Sequence, residues 1–300
     1  MNMKKINHQK TRFEKGFVFA IISAIFFSLN VPISKLLLVE VSPYWLASLL
    51  YFGAGVGTLI YHLTIKKNAS IHHQVSHQTG WYIVMIVLDI FAPIFFLIGV
   101  KETNGNLVGL LSNAELIFTL VIALIVFKEK LTTLSRVASI LVVLGLLFAN
   151  YQGSSFQFEI GALWIILGTL FWGLENNISR KLSFGNPLFV VIFKGLGTGI
   201  GTTIIALSLV ESAPSLLNVV YALTAGFLIY GLSLIFYVNA QRTQGAAKVQ
   251  LIQSFAPILG GILSWLFFQE ILSITTLLGY ILVIFALVLL GVDARKGQGV

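Results

Sequence analysis

The 300-residue chain is 57% hydrophobic and only 10% charged, has a formal net charge of +8 and contains no cysteine. So few charged residues cannot coat a soluble core of this size, and the missing cysteines exclude disulfides, thiolate chemistry and cluster ligation. Apolar runs of about 20 residues recur from end to end, the length that crosses a hydrocarbon core of ~30 Å. The short alternating segments of a transmembrane barrel are absent. The composition therefore predicts an all-α polytopic membrane protein.

The first stretch, MNMKKINHQKTRFEKG (1–16), is basic and polar and precedes no small-residue cleavage site, which reads as a cytosolic tail. Ten spans follow: 17–38, 43–65, 81–100, 104–127, 132–150, 160–181, 187–210, 216–238, 244–267 and 272–292, with a cytosolic tail at 293–300. The linkers leave no room for an extramembrane domain. The longest, from Lys66 to Gly80, contains His72, His73 and His77. No acidic residue or cysteine joins them, so they read as a solvated loop and no metal site is expected.

Lys4, Lys5, Lys66, Lys67, Lys128, Lys130, Arg136, Arg180, Lys181 and Arg242 fall on one side of these spans, and Lys35 and Lys101 on the other. That bias places both termini in the cytoplasm. It also explains the positive charge, so no nucleic-acid partner is expected. A bacterial plasma (inner) membrane fits the basic tail and the lack of cysteine.

The chain is a unit written twice. Phe26 to Lys35 reads FFSLNVPISK and Phe171 to Lys181 reads FWGLENNISRK, so that Phe27 aligns with Trp172, Asn30 with Glu175, Ser34 with Ser179 and Lys35 with Arg180. Spans 2 and 7 open with Ser42-Pro43 and Asn186-Pro187, each an N-cap residue before a proline at the first helical position. Gly53, Gly55 and Gly57 before Thr58 match Gly197, Gly199 and Gly201 before Thr202. Inside a membrane helix such glycines permit close packing. Thr103-x-Gly105 matches Thr243-x-Gly245, and Phe127 to Thr132 matches Phe268 to Ser273. Thr132 and Ser273 are positioned to cap the next helix, with Glu129 and Glu270 in hydrogen-bonded turns. Each half (17–150 and 160–292) holds five spans, and an odd number inverts the second copy in the membrane. Inverted repeats are an architecture of secondary transporters, with the substrate site near the midplane between the halves.

These features resemble the drug/metabolite transporter superfamily, EamA type, over nearly the whole chain. The signatures that carry the resemblance are Leu111-Ser-Asn-Ala-Glu115-Leu through Glu129-Lys-Leu-Thr132, and Phe255-Ala-Pro257 through Glu270-Ile-Leu-Ser273. The family often has Glu-Pro in spans 4 and 9. Here span 4 keeps Glu115 before Leu116 and span 9 keeps Pro257 after Ala256, so the expected proline kink survives only in the second half. The resemblance implies a central cavity lined by the first, third and fourth helices of each half, with the last helix of each half outside it. It also implies transport of a small metabolite.

Ionisable residues at membrane depth are costly and mark function. Asp89, Glu115, Glu175 and Lys194 stand out, because their repeat mates are Ile229, Ala256, Asn30 and Leu50. Packing that maintains the duplicated scaffold should look alike in both halves, so these four form the expected coupling or charge network. Counting helix rise puts Asp89 and Glu115 near the midplane and Glu175 and Lys194 in the cytoplasmic half, where an ion pair is expected. A midplane acid such as Glu115 suits proton coupling, and equally suits a silent acid hydrogen-bonded in a core. Asn30, Asn113, Trp172, Glu175, Asn176, Tyr237 and Gln253 are the expected substrate contacts, with Gln250 and Asn239 as further polar groups. Lys248 is expected to snorkel to the cytoplasmic interface.

The leading expectation is a secondary transporter exporting amino acids or related metabolites, with protons as a coupling ion. An importer of a vitamin, nucleoside or amino acid is the alternative, and a non-transporting membrane interaction protein a remote one. No cofactor is expected. Clustered aspartates or a His–Glu metal motif would mark a membrane enzyme and neither occurs, nor does a phosphate-binding loop of the GxxxxGK[ST] kind.

Overall fold

The computed structural model describes residues 3–65, 78–102, 108, 111–112, 114–149, 160–209, 211–256, 259–260, 263 and 274–296. Among them there are helices and no strands. The first span comprises α1 (Met3–Phe27) and α2 (Asn30–Leu37), so the basic N-terminal segment is helical and continuous with it. The break at Ser28-Leu29 has a local cause: Pro32 has no N–H for the Ser28 carbonyl, and its ring crowds that carbonyl.

Helix α3 (Pro43–Ile65) starts on its proline, and the Ser42 hydroxyl accepts from the Trp45 N–H at 3.4 Å. Helix α4 (Thr79–Glu102) carries Pro93 in its interior, which removes the backbone donor from the Asp89 carbonyl. Then come α5 (Ala114–Ile125), α6 (Thr133–Ala149), α7 (Ile160–Ser183) and α8 (Pro187–Ser208). Asn186 caps α8 by accepting from the Leu188 N–H at 3.1 Å, ahead of Pro187.

The eighth span is longer than expected. It runs through α9 (Leu216–Ala225), a π-helical turn (Gly226–Gly231) and α10 (Leu232–Gln244). Gly245, at φ 87°, separates it from α11 (Ala246–Gln253), and α12 (Ile274–Lys296) closes the chain. Among the described residues, five stretches are long and apolar enough to cross a membrane: Glu14–Leu37, Pro43–Thr64, Thr79–Glu102, Pro187–Ser208 and Leu216–Gln244. Ile60, Ile125, Ile204 and Ile281 present large apolar side chains outward, as a lipid-facing surface requires.

The main packing partners are α3 with α8, α4 with α7, α6 with α12, and α1 with α10. Exchanging the two halves maps the first and third pairs onto themselves and swaps the other two. This is what a two-fold relation between the repeats produces. The glycines obey the same exchange. Gly53 meets Gly226 of the π turn, while its mate Gly197 meets Ile86 of α4. At the centre of the α3–α8 contact a Cβ on Gly195 would lie 2.4 Å from the Gly55 nitrogen, so the two backbones touch. The alternate glycines are therefore packing residues, as expected.

Candidate functional site: a buried charge network between the halves

Helices α4, α7 and α8 bring Asp89, Glu175 and Lys194 together. The Lys194 ammonium lies 2.5 Å from Glu175 Oε2 and 3.1 Å from Asp89 Oδ2, and all three side chains are at most 4% exposed. The expected Glu175–Lys194 pair is thus present, with Asp89 as a third member. The Ser179 hydroxyl donates to Glu175 Oε1, so both oxygens of that carboxylate are engaged. On the other flank the Tyr51 hydroxyl donates to Asp89 Oδ1 at 3.4 Å and accepts from Trp172 Nε1 at 3.2 Å.

Tyr51 escapes a sequence reading because an aromatic in an apolar run resembles ordinary packing. The available signal was its position next to Leu50, the mate of Lys194. Buried charges persist only when paired and hydrogen-bonded, and this chain of contacts supplies both.

The repeat relation shows how the site was specialised. Ser34 donates to Asn30 Oδ1 at 3.0 Å, one helical turn apart, as Ser179 does to Glu175. The hydrogen bond is kept while the acceptor changes from amide to carboxylate. Tyr230 adds a second donor to Asn30 at 2.9 Å, and the Asn30 amide nitrogen has no partner among the described residues. Leu50 and Ile229, the mates of Lys194 and Asp89, sit in one buried apolar cluster.

Glu115 is a separate acid. Its Oε1 accepts from Asn176 Nδ2 at 2.8 Å, and no ion pair among the described residues includes it. On α5 the outward residues are Ile117, Val121, Leu124 and Ile125, all more than 40% exposed. At 100° per residue Glu115 points away from that lipid face, yet it remains half-buried instead of enclosed. Asn176 also donates to Thr119 Oγ1 at 3.2 Å, and its carbonyl accepts from Gln241 at 3.0 Å, tying α7 to α5 and α10. Asn177 donates to the Thr119 carbonyl at 3.3 Å. Tyr237 donates to Gln250 Oε1 at 2.7 Å, and Gln253 keeps a buried Oε1 without a partner among the described residues. Among the described residues, Asn239 bonds to its own helix, at the Ile235 carbonyl. Asn113, Pro257, Glu270, Ser273 and the three loop histidines lie outside the described residues.

One expectation is corrected. Lys248 does not snorkel: it is buried, and its ammonium pairs with Asp293 near the end of α12. Thr132 and Ser135 donate to the two oxygens of Asp293 at 2.9 and 2.8 Å. The snorkelling rule ignores a carboxylate delivered from a distant helix. Thr132 also caps α6, accepting from the Ser135 N–H at 3.1 Å. Glu129 does more than close a turn. It pairs with Arg180 Nε at 2.8 Å and accepts from the N–H groups of Ala246 and Ala247 at 3.1 and 3.3 Å.

The EamA-like transporter family matches the chain twice, at residues 14–151 and 159–292. An uncharacterized transporter of Methanothermobacter thermautotrophicus is 22% identical over 279 residues, covering 86% of this chain and 81% of its own. One from Clostridium kluyveri, also described as an uncharacterized transporter, is 20% identical over 286 residues, covering 90% and 91%. A solved crystal structure superposes with a TM-score of 0.77 at 13% identity, over 95% of this chain and 99% of the other, which shows a shared fold. This chain, with its apolar helices and its match to that family, is an integral multi-pass membrane protein in contact with the bilayer. The chain belongs to the EamA-like transporter family of the drug/metabolite transporter superfamily.

Proposed function

We propose that the protein is a secondary active transporter that exports amino acids or related ammonium-bearing metabolites across a bacterial plasma membrane. In this reading ten transmembrane helices form two inverted five-helix repeats, with both termini in the cytoplasm. The halves rock about a midplane cavity that contains Glu115.

The observation that carries the proposal is a charge count. Asp89 and Glu175 present two carboxyl groups to one ammonium, Lys194, and no ion pair among the described residues includes Glu115, so the site holds two more acids than cations. Uncompensated charge at membrane depth is costly, so the interior favours arriving cations. A proton on the triad removes one charge, and the ammonium group of a solute at Glu115 removes the other.

Asn30, Trp172, Asn176, Tyr237 and Gln253 supply the polar and aromatic wall of the cavity. Glu175 serves through the triad, because both its oxygens are already held.

The test is a metabolite-wide efflux and uptake profile of cells producing the wild type or Glu115→Gln at equal membrane levels, across an imposed proton gradient. A solute moved only by the wild type, in response to the gradient, names substrate, direction and coupling together. Identical profiles for the two forms contradict the assignment of Glu115.

A further inference from the structure

Among the described residues, the ends of α5, α7, α10 and α12 and the starts of α6 and α11 meet on one side, the side of the α1 start and the α12 end. Polar contacts at this end join the two halves. From the first half, Glu129 reaches Arg180 and the N–H groups of Ala246 and Ala247, while Thr132 and Ser135 reach Asp293. In the second half Asp293 also holds Lys248, in the first turn of α11. The start of α11 is thus gripped from both sides.

We propose that this ring of contacts is a latch that closes the protein at its cytoplasmic end, and that releasing it admits water to the cavity at Glu115. The inference rests on the alternating-access reading above and says which contacts must break in it. Two features suit a contact that is made and broken. Arg180 and Glu129 are 20% and 9% exposed, so water can replace their partners, whereas the Lys194 triad has no such access. Gly245, the single residue between α10 and α11, has φ 87° and a position at which a Cβ would come within 2.8 Å of Glu129 Oε2. Glycine lets the chain turn there and leaves room for the carboxylate. Helix α11 can therefore swing at its joint once Glu129 lets go.

The chain has no cysteine, so an introduced one reports alone. Ile122 lies on the same face of α5 as Glu115, two turns nearer the latch, and is half-buried. Purified Ile122→Cys protein in detergent is labelled with a water-soluble maleimide and the rate read by mass spectrometry. The same measurement is made in Glu129→Gln, Ser135→Ala and Glu102→Gln backgrounds.

Breaking charge-assisted contacts shifts a two-state balance, so Glu129→Gln and Ser135→Ala should each speed labelling roughly five- to tenfold. Glu102→Gln, at the far end of α4, should leave the rate unchanged. Labelling no faster than the parent in the folded latch variants, or equally faster in Glu102→Gln, overturns the latch. If Glu129→Gln does not give a monodisperse protein, Ser135→Ala decides, because it leaves the Lys248–Asp293 pair in place. Loss of all solute flux with these labelling differences intact counts against the transport reading and not against the latch.

Discussion

Lys194 Nζ lies 2.5 Å from Glu175 Oε2, while the residues aligned with this pair in the other half, Leu50 and Asn30, carry no charge. The duplicated scaffold thus holds a neutral version of its own site, and that version supplies the controls for the predictions below.

Removing one partner of a buried ion network strands the rest. Lys194→Leu alone should destabilise the protein by about 3–5 kcal/mol, because two carboxylates remain buried without their cation. The triple variant Asp89→Ile, Glu175→Asn, Lys194→Leu copies the mates and should recover most of that loss. Thermal unfolding in detergent checks both, and a triple variant as unstable as the single one would sink the symmetry argument.

Glu115→Gln should keep the fold, since an amide oxygen still accepts from Asn176. Its unfolding midpoint should change by the equivalent of about 1 kcal/mol or less. Proton-driven flux should fall at least tenfold at equal membrane levels, and further than in Glu129→Gln.

Gly195→Leu should be among the most damaging single changes, because backbone of α3 occupies the space its side chain needs. A loss of about 3 kcal/mol or more is expected, since the helices must separate. Gly80→Leu is the comparison, as a Cβ there meets nothing within 4 Å. Equal expression and stability of the two variants would argue against the close α3–α8 contact.

Tyr51→Phe removes the hydroxyl that links Trp172 to Asp89. A cost of about 1–2 kcal/mol is expected, with Trp172 left without its partner. Tryptophan fluorescence of a variant retaining only Trp172 should shift when Tyr51 is changed, and an unmoved spectrum would show that the contact is not made.

Much of this was legible in the sequence, for physical reasons. Apolar run length gives the helices, and the aligned stretches around Asn30 and Glu175 reveal the repeat. Opposite charge at similar depth brought Glu175 to Lys194. Asp89 was expected in the same network, but its direct contact with Lys194 needed the geometry of α4 against α8, which run length does not encode. Lys248 was misread because its partner Asp293 comes from a helix remote in sequence. Glu129 was placed in a turn, but its grip on the start of α11 depends on how the halves dock. Nothing in the sequence separates Tyr51 and Tyr230 from packing aromatics, and only their hydroxyl partners distinguish them.

The central claim is that the charges found in one half alone drive transport. The most direct test is solute flux in proteoliposomes under an imposed proton gradient, comparing the wild type with the folded Asp89→Ile, Glu175→Asn, Lys194→Leu protein. The account predicts gradient-driven movement of an ammonium-bearing solute by the wild type and none by the triple variant. Equal gradient-driven flux through both proteins would contradict it.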